Sequence, residues 1–369
     1  MSFNPLRRVL CTLLGPILEM DDTDIFHVHT ATTSAPDDTW LGIPQPPPPR
    51  ETGHPEIGGT QITYEWLKSL PSRDCLFRFR FYADEMADLV RILDIPRIWK
   101  TQSRGLFTGI EALGLLLARF RSARDQYDLL MKYNRCRTSI SEIVNELAIY
   151  LSERWGHLLD FDTNGILSPV RMQEYARAIY NAGAPLDSIY AFIDCTIRHI
   201  CRPMLWQQVA YNGHKKIHAN KFQALVLPNG LFGHLFGPME GRRNDNALLA
   251  ASEHRHNEAL LIFGDPAYSI SPLIMSPFAG AGERSAEETA WNAAMSVVCI
   301  EVEHGFSNVV KLWPFMDAWW KQRLYSSPIG HYYRVSVLLT NALNCIRPNQ
   351  TSQYFDLLPP ELEEYFTTK

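Results

Sequence analysis

The sequence predicts a mixed α/β chain preceded by an all-helical part, and three observations carry that expectation. Apolar residues recur at helical spacing between Tyr64 and Trp155. From Leu186 short apolar runs alternate with turn residues. A long amphipathic stretch then begins near Ala286.

In the helical part, Ala87, Leu89, Val90, Ile92 and Leu93 form an apolar run before Pro96. Thr108 and Glu111 fit a capping box, followed by Leu113, Leu116, Leu117 and Phe120 on one face. Tyr127, Leu130 and Met131 predict a short second helix. Ser139 and Glu142 fit another capping box, ahead of the stripe Ile140, Ile143, Val144, Leu147 and Leu151. Two short helices, a turn over 134–137 and a capped third helix outline a helix-turn-helix, an outline that a plain structural bundle shares. The expected solvent face of the third helix carries Glu142, Asn145 and Glu146, and two carboxylates suit a phosphate-lined groove poorly.

In the second part, Ile189–Ile193 is an apolar run ending in Asp194. Phe222–Leu227 and Leu231–Phe236 predict a hairpin closed by Pro228-Asn229-Gly230, because proline presets φ and Asn-Gly tolerates positive φ. Asp245 is expected to cap a helix through Ala251. Leu260–Phe263 is an apolar run ending in Gly264-Asp265. Trp291, Met295, Val298, Val302, Phe306 and Val309 then form one helical stripe, with Glu303 at its edge.

Four segments follow: an acidic, Pro-rich tail or linker over 1–60, a helical domain over 61–180, an α/β domain over 181–345 and a C-terminal tail over 346–369. Hydrophobic residues make up 46% of the 369 and charged residues 20%, which excludes a wholly disordered chain. No apolar run has the length of a membrane span. Val9–Leu18 is short, contains Pro16 and lacks a small-residue cleavage site, so a secretory signal is not expected. Seven scattered cysteines without a C-x-x-C pair indicate neither a disulfide framework nor a zinc ribbon.

The net charge of −5 argues at first against a polyanionic partner, but its distribution reverses that inference. Residues 1–60 hold 3 basic and 8 acidic residues, leaving the remainder neutral. Within it, 97–137 carries nine basic against three acidic residues, and 194–243 seven against two. Two local basic fields suit nucleic acid, although solvated faces would look the same.

Carboxylates at the ends of buried strands are costly unless compensated, and a divalent cation can compensate a converging pair. Asp194 and Asp265 are such a pair, and Glu303 on the following helix can complete an all-oxygen site suited to Mg²⁺ or Mn²⁺ in a two-metal arrangement. Taken singly, each aspartate fits a turn or cap as well. Arg198, Arg202, Lys215, Lys216, Lys221, Arg242 and Arg243 lie between the two aspartates and suit a phosphodiester substrate. His214 and His218 have metal-like spacing but fall between strands. No P-loop or dinucleotide fingerprint is present. Trp313, Trp319 and Trp320 could stack bases, but core packing is their expected role.

Five ordered segments resemble PIF/Harbinger-type DDE transposases: Ile193-Asp194-Cys195-Thr196, 209–216, 237–245, Gly264-Asp265-Pro266-Ala267-Tyr268 and Val302-Glu303-His304-Gly305-Phe306. The helical region 78–158 and the C-terminal tail also resemble fungal members. The resemblance implies an RNase H-like mixed sheet with flanking helices, preceded by the helix-turn-helix-like domain, and Asp194, Asp265 and Glu303 as the catalytic, metal-binding triad. Asp245, the family's further acidic position, is expected as a helix cap or a residue behind the metal ligands. The resemblance further implies cleavage and joining of phosphodiesters at terminal inverted repeats, homo-oligomeric assembly, a Myb-like DNA-binding partner protein and nuclear action. Cys299 stands where the family commonly has arginine, and Cys195 where it often has glycine. The rival readings are a domesticated nuclease and a non-catalytic DNA- or protein-binding module.

Overall fold

The computed structural model describes residues 58–252, 260–278 and 284–367, without the side chains of 300–304. The acidic, proline-rich segment as far as residue 57 and the His254-Arg255-His256 run lie outside these residues.

Three short helices, α1 (Tyr64–Ser69), α2 (Ser72–Phe79) and α3 (Ala83–Ile92), lead into a hairpin of β1 (Ile98–Lys100) and β2 (Leu106–Thr108). Helix α4 (Gly109–Arg121) follows, with the Thr108 hydroxyl accepting from the Glu111 amide at 3.3 Å. Glu111 does not return the bond to the cap. Its carboxylate is fully buried and accepts from Arg135 at 2.6 and 2.8 Å and from Gln61 at 2.9 Å. Apolar on nearly every side, α4 forms the centre of the helical layer.

Helices α5 (Tyr127–Tyr133) and α6 (Arg137–Trp155) come next, and Asn134 at φ 51° supplies the left-handed turn between them. The expected capping box at Ser139 is not formed, because α6 already starts at Arg137 behind Cys136. The face of α6 expected to meet solvent is occupied within the molecule. Glu142 accepts from the Ser103 amide at 2.7 Å and from its hydroxyl. Glu146 accepts from Trp99 Nε1 at 2.8 Å and the Gln102 amide at 3.0 Å, and Asn145 accepts from the Tyr332 hydroxyl. These acidic residues tie down the β1–β2 hairpin.

Helix α7 (Pro169–Asn181) packs along β3 (Ile189–His199). After a single helical turn, α8 (Gln207–Ala210), come β4 (Tyr211–Asn212), β5 (Ile217–Val226), β6 (Phe232–Glu240), α9 (Asp245–Ala251), β7 (Leu261–Gly264) and β8 (Ile274–Met275). The sheet order is β6-β5-β3-β7-β8, with β4 pairing the first residues of β5. The β6–β5 and β5–β3 ladders are antiparallel, whereas β3–β7 and β7–β8 are parallel. The predicted hairpin turn is present. Gly230, at φ +81°, donates to the Leu227 carbonyl at 2.9 Å, and a Cβ there would also collide with Asn349.

Helix α10 (Ala286–Leu312) starts in a capping box between Ser285 and Glu288 and crosses the sheet. Trp291 meets Phe263 of β7 at 5.7 Å between ring centroids, and Phe306 meets Phe232 of β6 at 5.6 Å. Met295, Val298, Phe306 and Val309 of the predicted stripe are buried. Helix α11 (Ile329–Ile346) packs on both α6 and β6, so the helical layer and the sheet share one core. Two short helices, α12 (Gln350–Tyr354) and α13 (Leu362–Tyr365), close the chain.

Candidate active site

Strand β3 does not end at Asp194, as the apolar run suggested, but continues to His199. Its antiparallel ladder with β5 runs on from Asp194↔Ala224 to His199↔Ala219. The parallel ladder with β7 does stop, at Ile193↔Gly264. Asp194 and Asp265 therefore follow directly on paired residues of neighbouring strands, whose usual separation is about 4.8 Å. On the β7 side of Asp194 the sheet gives way to a turn.

That turn is built by Asp265-Pro266-Ala267-Tyr268. The Asp265 Oδ1 accepts from the Ala267 amide at 3.1 Å, and the Tyr268 amide donates to the Asp265 carbonyl at 3.1 Å. Asp265 is exposed and Asp194 half-buried. Asp194 Oδ1 accepts from the Cys195 amide at 2.6 Å. Gly264 lets the turn close, because a Cβ there would lie 2.7 Å from the Tyr268 ring and 2.9 Å from Ile193.

Alternation along β3 sends Cys195 to the face opposite Asp194. There Tyr268 Oη lies 3.2 Å from Cys195 Sγ and accepts from Gln223 Nε2 at 3.0 Å. Burial pushes the Cys195 thiol up to about 12 and drives the Tyr268 phenol up as well. Both are neutral at physiological pH, so this cluster positions the strands and supplies no charge.

Asp245 borders the same cluster but is not the cap of α9. Asn244 caps it, its Oδ1 accepting from the Ala247 amide at 2.8 Å. Asp245 occupies the first helical position and is ion-paired with Lys221, whose Nζ also donates to the Arg243 carbonyl at 3.0 Å. Lys221 is 5% exposed, so it is an internal cation and not the surface DNA contact expected of it. Arg198 is likewise turned inward, its Nε donating to Thr196 Oγ1 at 3.1 Å and its guanidinium lying 5.7 Å from the Tyr333 ring centroid. Arg243 is paired with Glu240 at 2.6 Å. Arg202, Lys215, Lys216 and Arg242 remain exposed.

The backbone of residue 303 lies within α10, two residues before Gly305, whose nearest neighbours are Val226 and Phe232 of the sheet. The Glu303 side chain is outside the described residues. Among the described residues no three His, Cys, Asp or Glu side chains group closely enough for a metal. Two carboxylates just beyond the last pair of the parallel β3–β7 ladder are nevertheless a hard-oxygen donor pair of the kind a divalent cation takes. Cys299 is half-buried on α10, packed against the core.

The tryptophans divide. Trp313 is fully buried and donates to Thr340 Oγ1 at 3.1 Å, as core packing predicts. Trp319 and Trp320 are 43% and 49% exposed, against that expectation. No helix of the described residues is long and apolar enough to cross a membrane. No curated protein and no solved structure matches the chain. Residues 193–341, the stretch from the middle of β3 into α11, match the family model described as DDE superfamily endonuclease.

Proposed function

We propose that the chain is a metal-dependent DNA endonuclease of the DDE type, a transposase of the PIF/Harbinger kind with an RNase H-like catalytic domain over 181–345. The observation that carries the reading is the placement of Asp194 and Asp265, each one residue past the last pair of the parallel β3–β7 ladder, within the segment that matches DDE endonucleases. The strand order, three antiparallel strands followed on one side by two parallel ones, supports the RNase H-like assignment.

Asp194, Asp265 and Glu303 would hold Mg²⁺ or Mn²⁺, which when bound stabilises charge on the attacking and leaving oxygens of a phosphodiester. The chain's own part is positional. The β3–β7 ladder ends at Ile193 and Gly264, directly before the two aspartates, and the Cys195 and Ala267 amides hold one oxygen of each carboxylate. Asp245 acts from the opposite face of the sheet by neutralising Lys221. Arg202, Lys215, Lys216 and Arg242 give phosphates a surface to bind, and the substrate of that surface is double-stranded DNA at terminal inverted repeats. Nuclear action, homo-oligomeric assembly and a Myb-like partner complete the proposal. The polar face of α6, whose Glu142 and Glu146 bind the β1–β2 hairpin, suits a DNA groove poorly and supports such a partner.

The test is Mn²⁺-dependent cleavage of an inverted-repeat duplex by wild type and Asp194→Asn. Asparagine keeps the shape and loses the charge, so cleavage should fall at least about a thousandfold, on the order of 4 kcal/mol of transition-state stabilisation, with binding retained. Undiminished cleavage by Asp194→Asn would overturn the reading.

A further inference from the structure

The exposed tryptophans sit where the two basic fields, remote in sequence, come together. Beyond β3, the Cys201 amide donates to the Gln322 carbonyl at 2.9 Å, and Cys201 Sγ donates to the Trp319 carbonyl at 3.2 Å. The 319–322 turn is thereby fastened to the tail of the strand that carries Asp194. The ring of His199 stacks on Trp319 at 4.6 Å and 13°, and Trp320 stands edge-on to Trp319 at 6.0 Å. On one side of this turn, Lys321 Nζ donates to the Arg124 carbonyl at 2.9 Å, and burial, then the charges of Arg119 and Arg137, lower the Lys321 pKa against the pull of Asp125 and Asp128. Arg124 and Arg137 belong to the first basic field. On the other side Arg202 follows Cys201, and the β4–β5 hairpin carrying Lys215 and Lys216 joins through Ile200, whose amide donates to the His218 carbonyl at 3.0 Å. Asp125, Asp128 and Asp317 are acidic residues facing this seam, each within 4.0 Å of one cation.

Two half-exposed indoles, one braced by a stacked imidazole, with cations on both sides, are the elements of a surface for unpaired nucleic acid. Bases stack on the rings, and phosphates neutralise the flanking charge. A duplex hides its base faces and cannot use the indoles. From Asp194 to His199 the strand advances about 16 Å at about 3.3 Å per residue, so the platform lies a few nucleotides from the carboxylates. We infer that Trp319 and Trp320 form a stacking platform for an unpaired DNA strand leading away from the cleavage site. The choice of DNA rests on the endonuclease reading above; the platform geometry does not.

The experiment measures affinity for a labelled oligothymidylate and for a duplex of equal length, in EDTA and low salt, with the intact chain. Wild type should bind the single strand with quenching of tryptophan fluorescence. Trp319→Ala/Trp320→Ala should lose at least about tenfold in single-strand affinity, the scale of base–aromatic stacking, with duplex affinity changed less than threefold. Trp319→Phe/Trp320→Phe should keep most of the single-strand affinity, and melting temperatures of both variants should match wild type. Equal single-strand binding by wild type and the alanine variant would overturn the platform. So would loss of self-association in light scattering with DNA binding unchanged, which assigns the patch to a second copy of the chain. Because EDTA removes any need for metal, the platform fails or stands independently of the Asp194→Asn cleavage result.

Discussion

Asp194 and Asp265 occupy equivalent positions on two neighbouring parallel strands, each one residue past the last paired residues, Ile193 and Gly264. One aspartate lies inside a continuing strand and the other opens a turn, so they differ in exposure while sharing one end of the parallel ladder. If this end binds a divalent cation, Mn²⁺ should raise the melting temperature of wild type. At a hundredfold excess over Kd the gain is about 2.7 kcal/mol. Asp194→Asn and Asp265→Asn should show little or none of that rise, and differential scanning calorimetry with Mn²⁺ against EDTA checks it.

The Lys221–Asp245 pair makes Asp245 structural in a way that a helix cap would not be. Asp245→Asn should destabilise the fold by about 3–5 kcal/mol, because it leaves a buried ammonium without its counter-charge. Adding Lys221→Met should recover most of the loss. A double-mutant cycle in urea gives the coupling, and a helix-cap role would instead leave Asp245→Asn near wild-type stability.

Glu111 and Arg135 form the corresponding pair in the helical layer, with the Glu111 side chain 1% exposed. Arg135→Ala should cost about 3–5 kcal/mol, whereas Glu111→Leu/Arg135→Met should fall much nearer wild type. Equilibrium unfolding of the three variants distinguishes a buried ion pair from a surface one, for which every change would stay within about 1 kcal/mol.

His331 on α11 gives the fold a pH dependence of definite sign. Burial lowers its pKa below the ordinary imidazole value, and the nearby Arg334 lowers it further while Glu153 opposes. The unfolded chain then binds the proton more readily than the fold. Stability is complete above about pH 6.5 and declines as pH falls from there through the folded pKa. His331→Gln should flatten this acid limb between pH 7 and 5 in thermal melts, whereas an unaltered limb would exclude His331 as its source.

Thiol reactivity should separate Cys136 from Cys195. Cys136 is exposed at the start of α6, and the Ser139 hydroxyl 3.0 Å from its sulfur lowers its pKa. Cys195 is held neutral by burial. Iodoacetamide at pH 7 should label Cys136 ahead of Cys195, with Cys195 reacting only on unfolding, as peptide mass spectrometry can follow.

What sequence alone determined is local. A long helix beginning near Ala286 follows from the Trp291–Val309 stripe. The β5–β6 turn follows from Pro228-Asn229-Gly230, and Asp265 at the end of β7 from an apolar run meeting Gly and Pro. Each signal is complete within a few residues, because helical periodicity, capping and turn chemistry are short-range. Tertiary structure decided which polar residues find partners. An apolar run cannot reveal that β3 outlasts its β7 partner and continues on β5, which puts Asp194 inside the strand and not at its end. A charge count treats Lys221 and Lys216 alike, although the ion pair with Asp245 makes one internal and the other stays exposed. The acidic face of α6 looked solvated until the β1–β2 hairpin covered it, and Trp319 and Trp320 looked like core until the turn after α10 left them outside. In each case the deciding contact joins residues far apart in the chain, and the cost of burying a polar group depends on a partner that local pattern does not name.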